Sequence, residues 1–123
     1  MSTENECPVL YFNQQCPFCL KVRIFLLESG LRSAVDVREF APGSPGEAAI
    51  RAELAPHFEK VTFPTARFGT EYVNDSDAII ARLAASADVD PAALPVLASY
   101  KEVALGRVIQ LFRENAELKQ KLG

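Results

Sequence analysis

Two cysteines spaced by a proline and a phenylalanine, Cys16-Pro17-Phe18-Cys19, stand at the junction of an apolar run and a stretch of helical periodicity. Pro8-Val9-Leu10-Tyr11-Phe12 is continuously apolar and aromatic and ends at Asn13-Gln14-Gln15. That pattern predicts a strand buried on both faces of a sheet. From Pro17 to Leu31 the residues Phe18, Val22, Phe25 and Leu26 recur at helical spacing, and Gly30 stands where a left-handed cap closes a helix. A cysteine pair at the turn from strand to helix places sulfur at a helix N-terminus, which narrows both fold and chemistry.

The remaining elements follow from alternation and punctuation. Ala34 to Phe40 alternates Val35 and Val37 with charged residues, and Pro42-Gly43-Ser44-Pro45-Gly46 then breaks the chain; the expectation is a second strand followed by a loop. Glu47 to Leu54 is Ala-rich and helix-compatible, with Pro56 beyond it. Thr65 to Phe68 and Glu71 to Val73 are separated by Gly69-Thr70 and predict a tight hairpin. Ser76 to Ala87 carries Ile79, Ile80 and Leu83 on one helical face, with Asn74, Asp75 and Ser76 available as caps. The order is βαβαββα, an α/β fold. Asp88 to Pro95 reads as a connector with Asp90 as cap and Pro91 in a first helical turn, and a last helix is expected within Leu94 to Leu122.

Composition excludes several function classes. At 123 residues the chain amounts to one domain that buries a core without metal or disulfide staples. The net charge is −3 and the 13 Lys and Arg are scattered, so the positive footprint that phosphate backbones require is missing and nucleic acid is not an expected partner. Residues 1–6 are polar and acidic rather than basic then apolar, and no apolar run reaches membrane-spanning length, which reads as a cytoplasmic protein without a membrane partner. Three cysteines form an odd set, which argues for reactive thiols or metal ligation over a disulfide framework.

The helix N-terminus gives the sulfur chemistry its direction. Unpaired N–H groups and the positive end of the helix dipole stabilise a thiolate at Cys16, making it the expected nucleophile. Cys19, one turn further in, is placed to resolve a mixed disulfide on Cys16. Pro17 suits the first turn because the N–H it lacks has no helical partner there, and Phe18 is expected to cover the rim. Two other readings of the pair are half of a zinc site and two inert buried thiols. A tetrahedral zinc needs further ligands and only Cys7 and His57 remain, so no metal is expected. Cys7 lacks an activating neighbour, and His57, beside Pro56, is read as a solvated side chain without a role. Thr62-Phe63-Pro64 precedes the hairpin, and a proline is tolerated at a strand's start. If the Phe63-Pro64 bond is cis, the Phe63 backbone turns toward Cys16 and offers its N–H and C=O to an extended peptide or to the cysteinyl part of glutathione; a trans bond in an ordinary loop is the alternative.

Leu10-Tyr11-Phe12, Cys16-Pro17-Phe18-Cys19, Lys21-Val22-Arg23, Thr62-Phe63-Pro64 and Asp75-Ser76-Asp77-Ala78-Ile79-Ile80 together resemble the glutaredoxins and the N-terminal, thioredoxin-like domain of soluble glutathione transferases. The resemblance spans about residues 8–87. It implies a glutathione site in which Cys16 meets the glutathione sulfur, Pro17 and Phe18 border it, the Phe63-Pro64 backbone pairs with the cysteinyl group, and Asp75-Ser76 hold the γ-glutamyl end. A serine at a helix start offers hydroxyl and N–H to a carboxylate, and Asp75 can accept from an α-ammonium; the alternative is that both only cap their own helix. Asn13, Gln14 and Gln15 stand where glutaredoxins commonly have a basic residue, with Lys60 as a possible substitute, and Asn74-Asp75 replace the paired glycines of that family. Thioredoxin proper is disfavoured because the chain has 0 Trp.

The resemblance thus implies a thioredoxin-like, glutathione-binding unit over 1–87 and a connector with a C-terminal helix over 88–123, packed on the domain or used in dimerisation. Val108, Leu111, Asn115, Leu118 and Leu122 alternate steps of three and four, a seam that can pair two chains into a homodimer. The implied function is a glutathione-dependent thiol-disulfide oxidoreductase acting on disulfide or glutathionylated substrates, with glutathione as co-substrate. The alternative is a transferase-like module that binds glutathione, or a protein partner, with little turnover. Conjugation to an electrophile ranks last, since only residues 88–123 remain to build an acceptor site.

Overall fold

The computed structural model describes residues 7–122, the side chains at 121 and 122 excepted, so the acidic opening at 1–6 and the Leu122 side chain that ends the seam lie outside what is described. Among the described residues the expected βαβαββα order is present as β1 (Val9–Asn13), α1 (Pro17–Ser29), β2 (Asp36–Phe40), α2 (Pro45–Leu54), β3 (Thr65–Phe68), β4 (Glu71–Val73) and α3 (Ser76–Ala87), and the one expected last helix is instead α4 (Pro95–Ser99) and α5 (Gly106–Leu122) with a π-helical segment, Tyr100–Leu105, between them. The sheet runs β2-β1-β3-β4, with β1 parallel to β2 and antiparallel to β3. This is the thioredoxin-like arrangement with an added C-terminal helix.

The apolar run at β1 fixes the centre of the molecule because both its faces are covered. Leu10 and Phe12 join Val22, Phe25 and Leu26 of α1 and Ile79 and Leu83 of α3 on one side of the sheet. Val9 and Tyr11 meet Leu54, with Ile50, Phe58 and Tyr72 packed around them, on the other. With its faces and both neighbouring strands occupied, β1 delivers Asn13 to one place, and the turn after it delivers Cys16.

Helix ends are set by local chemistry. At the end of α1, Gly30 adopts φ 81, and its N–H and that of Leu31 bond back to the last turn, a closure that residues with a Cβ reach only under strain. α2 starts two residues earlier than the sequence reading placed it, since Pro45 fits a first helical turn behind Ser44 and Glu47 reaches back to accept from the Gly43 N–H at 2.7 Å. Asp75 caps α3 by accepting from the Asp77 N–H at 3.3 Å.

The C-terminal run has two distinct halves. α4 and the π-helical segment lie along α1, and Leu97 and Leu105 are buried there. Beyond them α5 leaves the domain: every side chain from 110 to 120 is exposed, including Leu111, Phe112 and Leu118. The docked half is fastened to both ends of α1. At one end, Glu28 accepts from the N–H groups of Val96 and Leu97, each at 2.8 Å, and so supplies the cap that α4 lacks locally. At the other, the Tyr100 hydroxyl donates to the Pro17 carbonyl at 2.6 Å.

Two charge-assisted bonds from one half-buried carboxylate predict that Glu28→Ala lowers stability by about 2 kcal/mol, and that Glu28→Gln, which keeps one acceptor, costs roughly half as much. Urea denaturation measures the difference, and amide exchange should quicken at residues 95–105 in the alanine variant.

Candidate functional site

The site is built where β1 hands the chain to α1. Cys16 is the N-cap residue of α1, in extended geometry (φ −102, ψ 123). Its N–H donates to the Asn13 carbonyl at 3.1 Å, and its own carbonyl accepts from the Leu20 N–H at 3.0 Å. Cys16 is half-buried and Cys19 fully buried, and both are free thiols. Phe63 and Pro64 are joined by a cis bond, so of the two conformations left open by sequence the one that turns the Phe63 backbone toward Cys16 is present. As a thiol, Cys16 Sγ lies 3.7 Å from the Phe63 carbonyl oxygen.

As a thiolate, Cys16 draws on different partners. Its pKa is brought down from 9.0 to about 6, first by the Cys19 thiol donating to it and then by the backbone N–H groups of Cys19 and Phe18, which together outweigh the cost of burying the charge. The sequence reading credited the helix terminus alone; the neighbouring thiol comes first, and the amides add to it. The same contact acts on Cys19 in the opposite sense: its role as donor to Cys16, burial and the Cys16 charge all push its pKa up. The two sulfurs form one coupled pair that gives up its first proton readily and its second with difficulty.

Around this pair the other residues singled out by sequence take varied positions. Phe18 is half-buried, with the Lys21 ammonium 5.9 Å from its ring centroid. Lys21 is itself buried and pairs with Asp77 at 2.7 Å, which joins the N-terminal part of α1 to the first turn of α3. That bridge ties the start of α3, where Asp75 and Ser76 stand, to α1. Asp75 is exposed and already engaged in capping, whereas Ser76 is buried. Lys60 is exposed, and His57 is exposed but stacked on the Tyr72 ring at 3.9 Å.

Cys16 also lines a cleft of about 400 Å³. Its polar lining comes from Asn13, Gln14, Gln15 and Arg23, and its mostly apolar lining from Pro17, Leu20, Tyr100, Ala104 and Val108. Phe63, Pro64, Asp75 and Ser76 do not line it. The wall formed by residues 100–108 was missed by sequence reasoning. Its one local sign is a tyrosine in an otherwise simple amphipathic run, and what gives Tyr100 its place is a contact 83 residues away in the chain.

Residues 15–86 match the family model described as glutathione S-transferase, N-terminal domain. Among solved structures, a glutathione S-transferase from the Antarctic clam Laternula elliptica is similar at 28% identity and a TM-score of 0.45, over 66% of this chain and 35% of that one. The chain thus spans about a third of that protein's length. No curated protein matches. With the family's pattern running through more than half of its length, from the turn before Cys16 to the end of α3, the chain belongs to the glutathione S-transferase N-terminal domain family.

Proposed function

We propose that this chain is a glutathione-dependent thiol-disulfide oxidoreductase of glutaredoxin type, with Cys16 as nucleophile and Cys19 as resolving thiol. The observation that carries the reading is the Cys16 sulfur itself, which as a thiol lies beside the Phe63 carbonyl and whose pKa is brought down to about 6 by donors in the first turn of α1. A transferase-like domain that only binds glutathione has no need of a second thiol donating to the first.

In the proposed reaction the Cys16 thiolate attacks the glutathionyl sulfur of a mixed disulfide. A bond forms between Cys16 Sγ and that sulfur, and the substrate thiolate leaves and takes a proton from solvent. Resolution has two routes. A glutathione thiolate attacks the glutathionyl sulfur, forming oxidised glutathione and restoring the Cys16 thiolate. Alternatively Cys19 loses its proton and attacks Cys16 Sγ, releasing glutathione and leaving a Cys16–Cys19 disulfide that two further glutathiones reduce. The second route becomes accessible only after the first attack, because two causes that hold the Cys19 pKa up are contacts with Cys16, and a mixed disulfide removes its charge.

Glutathione itself would lie with its cysteinyl backbone along Phe63-Pro64 and its γ-glutamyl end toward Asp75-Ser76. Support comes from the Phe63 carbonyl facing Cys16, and from Ser76 sitting buried at the start of the twelve-residue helix α3. An N-terminal helix end with a hydroxyl suits a carboxylate. A second reading, a glutathione-binding module with little turnover, is favoured by the family match and by the apolar wall of the cleft.

The two readings part in the test tube. The rate of Cys16 alkylation should rise with pH to half its maximum at about 6, since the reacting form is the thiolate, and be close to its plateau at pH 7, where about nine-tenths of the sulfur is ionised. Removing the largest lowering influence, Cys19→Ala should move that midpoint upward. Turnover of a glutathione mixed disulfide should fall to background in Cys16→Ser and persist in Cys19→Ser through the glutathione route. Tight glutathione binding with no turnover in the unaltered protein would reject the oxidoreductase in favour of the module.

A further inference from the structure

Tyr100 makes a bond whose consequence reaches the sulfur. Its hydroxyl donates to the Pro17 carbonyl at 2.6 Å, from the first residue of a π-helical segment that interrupts the C-terminal helix beside Cys16. π-helical insertions are uncommon and frequent at functional sites. The Pro17 carbonyl oxygen has two lone pairs, so it can hold the phenol and its helical partner together. The decisive point is covalent: the C=O of Pro17 and the N–H of Phe18 are the two ends of one planar peptide group. Drawing electron density toward the oxygen makes the N–H at the other end a stronger donor. Phe18 is the second residue of α1, where the backbone N–H faces the side chain of the N-cap residue Cys16, and that amide is among the influences that lower the Cys16 pKa.

We propose that Tyr100 is a positioning residue for Cys16, acting through the Pro17–Phe18 peptide: the phenol hydrogen bond holds and polarises the amide that faces the sulfur. The inference rests on the reading of Cys16 as an ionised nucleophile. The phenol itself stays protonated, since burial and then the Cys16 charge both raise its pKa. The other titratable groups around the sulfur are few. Cys19 donates to it from α1, and Arg23, also on α1, lines the same cleft while pairing with Glu39 of β2 at 3.3 Å. Tyr100 is the titratable residue that the C-terminal run adds to the cleft wall, and it puts a protonated donor, not a charge, within the sulfur's network.

The test is the pH profile of Cys16 alkylation in the full chain, in Tyr100→Phe and in protein carrying 3-fluorotyrosine at position 100. Phenylalanine keeps the ring and removes the donor. Cooperativity of roughly 10–30% per bond predicts a midpoint raised by about 0.3–0.5 unit and alkylation at pH 5 slowed about two- to threefold. Fluorotyrosine is the more acidic phenol and the stronger donor, so its midpoint should fall below that of the unaltered protein. Opposite shifts from the two replacements support the relay, because a loosened cleft wall moves only the first. A midpoint near 6 in the unaltered protein with neither replacement shifting it, or with only Tyr100→Phe shifting it, overturns the relay and leaves the thiolate reading standing. A midpoint near 9.0 in the unaltered protein overturns both.

Discussion

A negative charge on a half-buried sulfur survives only where hydrogen-bond donors replace the water it has lost. For Cys16 those donors are the Cys19 thiol and the N–H groups of Phe18 and Cys19, all carried by the first turn of α1. The position of that turn is therefore the constraint on which the site depends. Behind it, β1 is held by core on both faces and by strands on both edges. Beside it, the Lys21–Asp77 pair ties α1 to α3. Along it, Glu28 and Tyr100 bind the C-terminal run to the two ends of the helix. The fold surrounds one helical turn with independent fixings, which is how a set of donors comes to be aimed rather than merely present.

The sequence made part of this plain because part of it is local. Continuous apolar residues in Pro8–Phe12 announce a strand buried twice, and the two residues of Gly69-Thr70 suit only a tight turn, realised with Gly69 at φ 65. The bounds of α3, Ser76 to Ala87, are those expected from its cap and its apolar stripe. Where local signals compete, the reading drifts. The Pro42–Gly46 cluster reads as loop to its end, although Pro45 is also a good first residue for a helix, and Glu47 accepting from the Gly43 N–H closes the first turn there. Lys21 sits on a helix whose apolar periodicity gives no hint that an ammonium will be buried, since its partner Asp77 lies 56 residues on. The cleft wall is wholly a tertiary product: nothing about Tyr100 within its own helix says that its hydroxyl meets Pro17.

The cysteine pair shows the same division. Spacing alone places one sulfur at the helix end and the other a turn inside, and it predicts the direction of the Cys16 shift. Burial of Cys19 is what makes the second thiol the leading donor, because a thiol kept from water has few partners other than the adjacent sulfur. A pattern of letters carries the position of Cys19 but not its solvent exposure, and the order of the two contributions follows from exposure.

That ordering bears on which chemistry suits the site. One S–H···S contact lowers the first ionisation of the pair and raises the second, so the favoured reduced form is a monoanion with the charge on Cys16. Such stabilisation exists only while both sulfurs are reduced. In the proposed oxidoreductase it would move the dithiol–disulfide couple toward the oxidising end, as in other couples whose reduced form is selectively stabilised. A couple displaced in that direction is one that a glutathione pool keeps reduced, and its attacking sulfur is ionised under the same conditions. On the proposed oxidoreductase reading, the contact that lowers the Cys16 pKa therefore also favours glutathione as the reductant that returns the sulfur to its starting state.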